Sequence, residues 1–204
     1  MNSPFKRLLA GALIALAALG AGSGSAAAGT LHIAIDTSSF GATSGYLDMQ
    51  LSATAGMPLA TALVSNMTGF DSSAFIDSWG VTTVAGGYLF RNDTANDLFH
   101  AVSYGGVMSF DLTFSGAVDP LTAYISHFVI SAYGADGVTA LGNPDPVTGA
   151  LANFSWTPAT SAGTNGIIGI QITDARVAVV PEPAAWQLLA AGMLLMAMVR
   201  RRQR

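Results

Sequence analysis

Strict apolar–polar alternation recurs through the middle of this chain, and it commits that region to half-buried β-strands. Over 46–51, Leu47, Met49 and Leu51 share one face while Tyr46, Asp48 and Gln50 share the other. Over 107–115, Met108, Phe110, Leu112 and Phe114 point one way, and Ser109, Asp111 and Thr113 the other. A period of two sets one row of side chains against a core and the other in water, the pattern of an antiparallel sheet covered on one face. Further strands are expected at 31–35, 62–70, 88–91, 98–104, 123–133, 151–156 and 167–179. Two of these, 123–133 and 167–179, are apolar on both faces for much of their length, which suits central strands. Turn chemistry separates the strands, as in Asp136-Gly137, Gly142-Asn143-Pro144-Asp145-Pro146, Thr148-Gly149 and Asn165-Gly166. Residues 70–79 are a candidate for a single helical turn, with Asp71 or Ser72 as its N-cap. The fold class expected is all-β: an antiparallel β-sandwich, with a jelly roll as its candidate topology. No internal repeat supports a propeller or solenoid.

The two ends are of another kind. Lys6 and Arg7 precede an apolar run of twelve residues, 8–19, and a small-residue stretch that ends Ala26-Ala27-Ala28 before Gly29. A positive region, a short apolar core and an A-x-A site make a secretory signal peptide over 1–28, cut between Ala28 and Gly29. At the other end Val180-Pro181-Glu182-Pro183 precedes a sixteen-residue segment, 184–199, apolar but for Gln187, and then Arg200, Arg201, Arg202 and Arg204. A helix of that length reaches about 24 Å and spans a bilayer if the arginines snorkel. Those arginines would stay in the cytoplasm, so the preceding domain would face outward. Pro181 and Pro183 hold the chain extended ahead of the helix. This divides the chain into a signal peptide (1–28), a β-sandwich domain (29–179) and a C-terminal sorting segment (180–204). About 150 residues are enough for one core, and with no cysteine in the chain that core must suffice without disulfides.

The order V-P-E-P, short apolar helix, terminal arginine cluster resembles the PEP-CTERM sorting signal of Gram-negative bacteria. The resemblance implies recognition by an exosortase, an integral-membrane cysteine protease or transpeptidase, and removal of the tail. It also implies an exopolysaccharide-producing host and an inner-membrane stage before delivery to the cell surface or beyond. The stretches GYLDMQL (45–51), FDLTFSG (110–116) and DPVTGAL (145–151) resemble a PEP-CTERM protein family of this size and order. That second likeness implies the overall architecture and no activity.

Charge and composition then narrow the chemistry. Arg91 and Arg176 are the only Lys or Arg between 29 and 180, against eleven Asp and no Glu, a formal charge of −9. Nucleic-acid binding is excluded as a class, because phosphate contacts need clustered cations. Three histidines, His32, His100 and His127, lie far apart with no metal-binding spacing, and no serine sits in a G-x-S-x-G turn. His127 is expected to be packed or hydrogen-bonded within its strand. Most aspartates flank Gly, Ser or Asn and read as turn formers, although eleven of them leave room for a catalytic pair. No cofactor is expected. Calcium is the one ion the oxygen donors suit, around Asp93, Asn96 and Asp97 or Asn143 and Asp145, with no binding loop of a known pattern. Tyr46, Tyr88, Tyr104, Tyr133, Trp79 and Trp156 are the aromatics available for stacking on sugars.

The expected function is that of an exported, exosortase-processed, non-enzymatic protein of the cell surface or exopolysaccharide matrix. Its partners would be signal peptidase and exosortase during export, the inner membrane before processing, and exopolysaccharide afterwards. A carbohydrate-binding module is the first alternative, and a polysaccharide hydrolase using an Asp pair is the second.

Overall fold

The computed structural model describes residues 26–52, 54–122 and 124–181, together with Met193. These form twelve strands: β1 (Ala26–Asp36), β2 (Ser44–Leu51), β3 (Ala60–Thr68), β4 (Ile76–Trp79), β5 (Thr82–Val84) and β6 (Gly87–Arg91), then β7 (Asp97–Ser103), β8 (Val107–Gly116), β9 (Ser126–Gly134), β10 (Ala152–Thr157), β11 (Ile167–Ile172) and β12 (Val177–Pro181). They make two six-stranded antiparallel sheets. The first, sheet A, runs β12-β1-β8-β3-β6-β5, and the second, sheet B, runs β11-β10-β9-β2-β7-β4. The inner faces of both sheets pack into one core, so the arrangement is that of a β-sandwich.

The alternation explains the packing. Leu47, Met49 and Leu51 of β2 are buried against Phe110, Leu112 and Phe114 of β8 and the other inward residues of sheet A, all essentially without solvent contact. Phe90 and Phe128 meet edge to face at 5.2 Å, bridging the two sheets, and Phe114 stacks on Trp156 at 6.0 Å. Edge-to-face and parallel ring contacts of this kind add to what area burial alone contributes. Asn96 ties the loop before β7 to the end of β2: it accepts from the Leu51 N–H (2.7 Å) and donates to the Leu51 carbonyl (2.8 Å). Asn92 does the same for β3, accepting from the Ala60 N–H at 2.8 Å.

Three expectations are corrected. The segment 167–179 is not one central strand but two edge strands in different sheets, β11 and β12. The chain turns between them because the Asp174 carboxylate takes hydrogen bonds from the backbone N–H groups of Asn143 and Arg176 and from the Arg176 guanidinium. Residues 70–79 hold no helical turn. Asp71 does cap a turn, accepting from the Ser73 N–H at 2.8 Å, but β4 follows directly. The strand total rises from about nine to twelve: the division of 167–179 adds one, and β4 and β5, short and largely exposed, add two. The expectation for 123–133 holds from Ser126 on, with β9 lying between β10 and β2.

Candidate functional site

The outward residues of β2, β7 and β9 form one surface in register. Tyr46 pairs with Tyr133 across β2 and β9, and Asp48 pairs with Phe99 across β2 and β7. The Tyr46 and Phe99 rings stack at 4.4 Å and 17°, and Phe99 lies 5.8 Å from Tyr133. Each of the three rings is half-buried, so flat apolar area faces water on the outside of a sheet. Tyr104 positions this row from beneath. Its ring occupies the space over Gly45, where a Cβ would come within 2.7 Å of it and 2.0 Å of the Tyr133 carbonyl oxygen. Its hydroxyl lies 2.7 Å from the Tyr46 carbonyl and 3.0 Å from the Tyr133 carbonyl, and burial pushes its ionisation well above the ordinary tyrosine value. The Asp136 turn flanks the row, its carboxylate accepting from the Val138 and Thr139 N–H groups. Those bonds, led by the Thr139 hydroxyl, hold Asp136 down to about 2.

Beside the rings lies a carboxyl pair. Asp48 is only 9 % exposed, and Gln50 donates to its two oxygens at 3.3 and 3.1 Å. Burial first, and then a hydrogen bond and charge from the Asp97 carboxyl, push Asp48 up to about 7. Among the described residues, one buried oxygen of Asp97 has no hydrogen-bond partner. Glycosidases hold their carboxyls about 5–5.5 Å apart, or about 6.5–9.5 Å with a water between. Asp48 and Asp97 are close neighbours, and the Asp97 carboxyl adds to the burial that raises Asp48. Further along the same face, His127, Asn153, Ser155, Gly169, Ile170 and Gln171 line a groove of about 230 Å³. His127 is exposed there and bonds Asn153 at 3.1 Å, so it is hydrogen-bonded as expected but not packed. From Tyr133 to His127 along β9 is about 20 Å at the usual rise per residue.

The remaining sequence candidates separate. Trp156 and Tyr104 are core residues, Tyr88 faces inward beside His100, and Trp79 is 69 % exposed on β4, paired with Asp97. Asp93 is held by Arg91, Asn96 is a structural tie, and Asp145 caps its own turn. Among the described residues no group of three acidic or histidine side chains could hold a metal ion. Sheet A carries a pair that sequence reasoning missed: His32 Nδ1 lies 2.7 Å from Asp111, whose other oxygen accepts from Asn66 at 2.6 Å. Burial opposes the Asp111 charge, but the bonds from Asn66 and His32 outweigh it and hold the carboxyl below its ordinary value. Among the described residues no hydrogen bond joins a hydroxyl to the His32 ring. A second cavity, about 320 Å³ between Met67, Phe70, Val84, Tyr88 and His100, contains no carboxylate.

Of the sorting residues, Val180 and Pro181 form the end of β12, opposite His32 and Leu31 of β1. Proline is tolerated there because an edge strand needs no donor on its outer side. Glu182, Pro183, the segment 184–199 apart from Met193, and Arg200, Arg201, Arg202 and Arg204 lie outside the described residues. Among the described residues no helix is long and apolar enough to cross a membrane. Ala28 and Gly29 lie inside β1, at the irregularity between its pairing of Ala27 with Ser115 and of Thr30 with Thr113. Ala26 and Ala27 pair with Gly116 and Ser115 of β8, and the ladder from Leu31 to Ile35 lies beyond that site. No family model, curated protein or solved structure matches this chain.

Proposed function

We propose that this chain is an exported, non-enzymatic surface or matrix protein whose sandwich binds a neutral polysaccharide along the outer face of sheet B. The observation that carries this reading is the Tyr46–Phe99 stack with Tyr133 beside it, on the face that also carries Gln50, Asp48 and Asn153. Sugar rings present apolar C–H faces that lie flat on aromatic rings, while their hydroxyls need acceptors and donors around the rim. The domain charge of −9 repels acidic polymers and leaves neutral ones as the ligand class. The strand order β1-β8-β3-β6 facing β2-β7-β4 supports a jelly-roll core, extended by β9–β11 on one sheet and β12 on the other. A jelly roll hosts lectins among other functions, so the fold agrees with binding without assigning it.

Delivery rests on the chain ends. Signal peptidase would act between Ala28 and Gly29, and an exosortase would read Val180-Pro181-Glu182-Pro183 before the arginine cluster. The reading is supported by Val180 and Pro181 lying extended at a sheet edge, the conformation a protease cleft accepts. The binding claim predicts retention of the full chain on a neutral insoluble polysaccharide and none on an acidic one of the same form. Phe99→Ala should raise the dissociation constant at least about tenfold, a hot-spot-sized loss. Trp79→Ala, on a strand edge, should change it less. Equal retention of the Phe99→Ala chain, with its melting transition intact, would sink the proposed site.

A further inference from the structure

A two-sheet sandwich has four strand edges, and three of them here carry protection. β5 is three residues long, β4 is four residues long and bears Asp77, and β12 ends at Pro181. Short length, charge and proline are the devices by which native edges avoid pairing with another chain. β11 has none of them. Its sequence, Ile-Ile-Gly-Ile-Gln-Ile, is uncharged and rich in β-branched residues, and among the described residues it pairs only with β10. Ile167, Ile170 and Ile172 are 70 %, 43 % and 41 % exposed. Register with β10 places Ile168, Ile170 and Ile172 opposite Trp156, Phe154 and Ala152, on the inner side of sheet B. Two core-facing isoleucines therefore meet solvent at this edge, because sheet A does not cover them.

We propose that β11 is a self-association edge and that its occupant is β11 of a second copy of this chain, added antiparallel about a two-fold axis. Charge selects that occupant. The domain carries −9, so a basic partner would be drawn to its acidic parts. Residues 146–173 hold no Asp, Glu, Lys, Arg or His, the longest uncharged run of the domain, and β11 lies within it. Here two like-charged copies approach with least repulsion. An unpaired strand edge offers a row of N–H and C=O groups that another strand satisfies fully, and a two-fold axis makes the contact self-complementary. Centring the axis on Ile170 sets Ile170 against its own copy and Ile168 against Ile172, so every inward isoleucine meets an isoleucine. The two B sheets become one continuous sheet, with the outer faces of both copies on it.

The absence of native cysteine makes a clean test. Single-cysteine variants of the full chain in mild detergent, exposed to a mild oxidant, should cross-link rapidly as Ile170→Cys. Ile167→Cys, whose copy would sit about 20 Å away, and Val147→Cys on an exposed loop should cross-link at least about tenfold more slowly. Ile170→Lys should convert the full chain from a concentration-dependent dimer to a monomer, as read by light scattering, while its melting transition persists. No preference for Ile170→Cys, a monomeric unaltered chain, or a dimer that survives Ile170→Lys would each overturn the proposal.

Discussion

Trp156→Ala is expected to cost about 3–5 kcal/mol of folding stability, the range for removing a large buried aromatic. The indole has no solvent exposure and lies parallel to Phe114 of the opposite sheet, at 6.0 Å and 1°. Gly166 lies close against the six-membered part of the indole, where even a Cβ would stand 2.0 Å from the ring. Backbone that approaches so closely cannot collapse further into the void, so the cavity term adds to the lost transfer energy. Trp156→Phe should cost less. It leaves a smaller void and removes an indole N–H that, among the described residues, has no hydrogen-bond partner. Trp79→Ala, at 69 % exposure, should change stability by less than about 0.5 kcal/mol. Denaturant midpoints at unchanged slope measure all three. A Trp156→Ala chain within about 1 kcal/mol of the unaltered one would contradict the packing described.

Asp48→Asn is expected to stabilise the chain at pH 8 by about 2 kcal/mol while leaving it nearly unchanged below pH 4. The folded protein raises Asp48 from 3.8 to about 7, through burial and the adjacent Asp97 carboxyl. Between those values the folded chain keeps a proton that the unfolded chain releases. The contribution of this group is thus fully present below about pH 4 and is lost as pH rises through about 7. Each pKa unit corresponds to about 1.4 kcal/mol, and remaining solvent contact reduces the total. An Asn amide in the same place can donate to Asp97 at every pH. Asp136 acts with the opposite sign: held down to about 2, it loses its stabilising effect only as pH falls through that value. Melting temperatures from pH 3 to 9 should show the unaltered chain declining above pH 5 and the Asp48→Asn chain declining less. Parallel profiles would mean that burial beside Asp97 does not raise Asp48 in the folded chain.

Where one face of a strand is buried and the other wet, as in β2 and β8, the period of two could be read directly. It fails at edges. β11 and β12 look like central strand material because Ile and Val occupy both faces, yet both lie at the rim. The break between them depends on Asp174 reaching the Asn143 N–H, a contact between residues thirty-one positions apart that no local pattern records. Strands as short as β4 and β5, four and three residues long, are too brief to show an alternation that marks them. The candidate site was half legible. Tyr46 and Tyr133 were among the stacking aromatics, but Tyr104 and Trp156 belong to the core and the central ring, Phe99, was passed over. The signal for Phe99 was available: in Asp97–Ser103 it falls on the polar side of the alternation, out of phase with Leu98, His100 and Val102. The Asp48–Asp97 pair could not be found this way, since β2–β7 pairing alone brings the two together.

The central claim, that the domain is delivered outside the cell and held by neutral polysaccharide there, is tested most directly on native material. The measurement is the intact mass of the protein recovered separately from membranes and from the extracellular polysaccharide fraction. The account predicts a polysaccharide-associated species lacking residues 1–28 and the tail beyond the Pro181–Pro183 segment. A chain carrying Pro181→Ala and Glu182→Ala should keep that tail and stay with the membranes. Recovery of the unaltered chain only in membranes, with 184–204 still attached, would contradict both the sorting and the setting proposed for it.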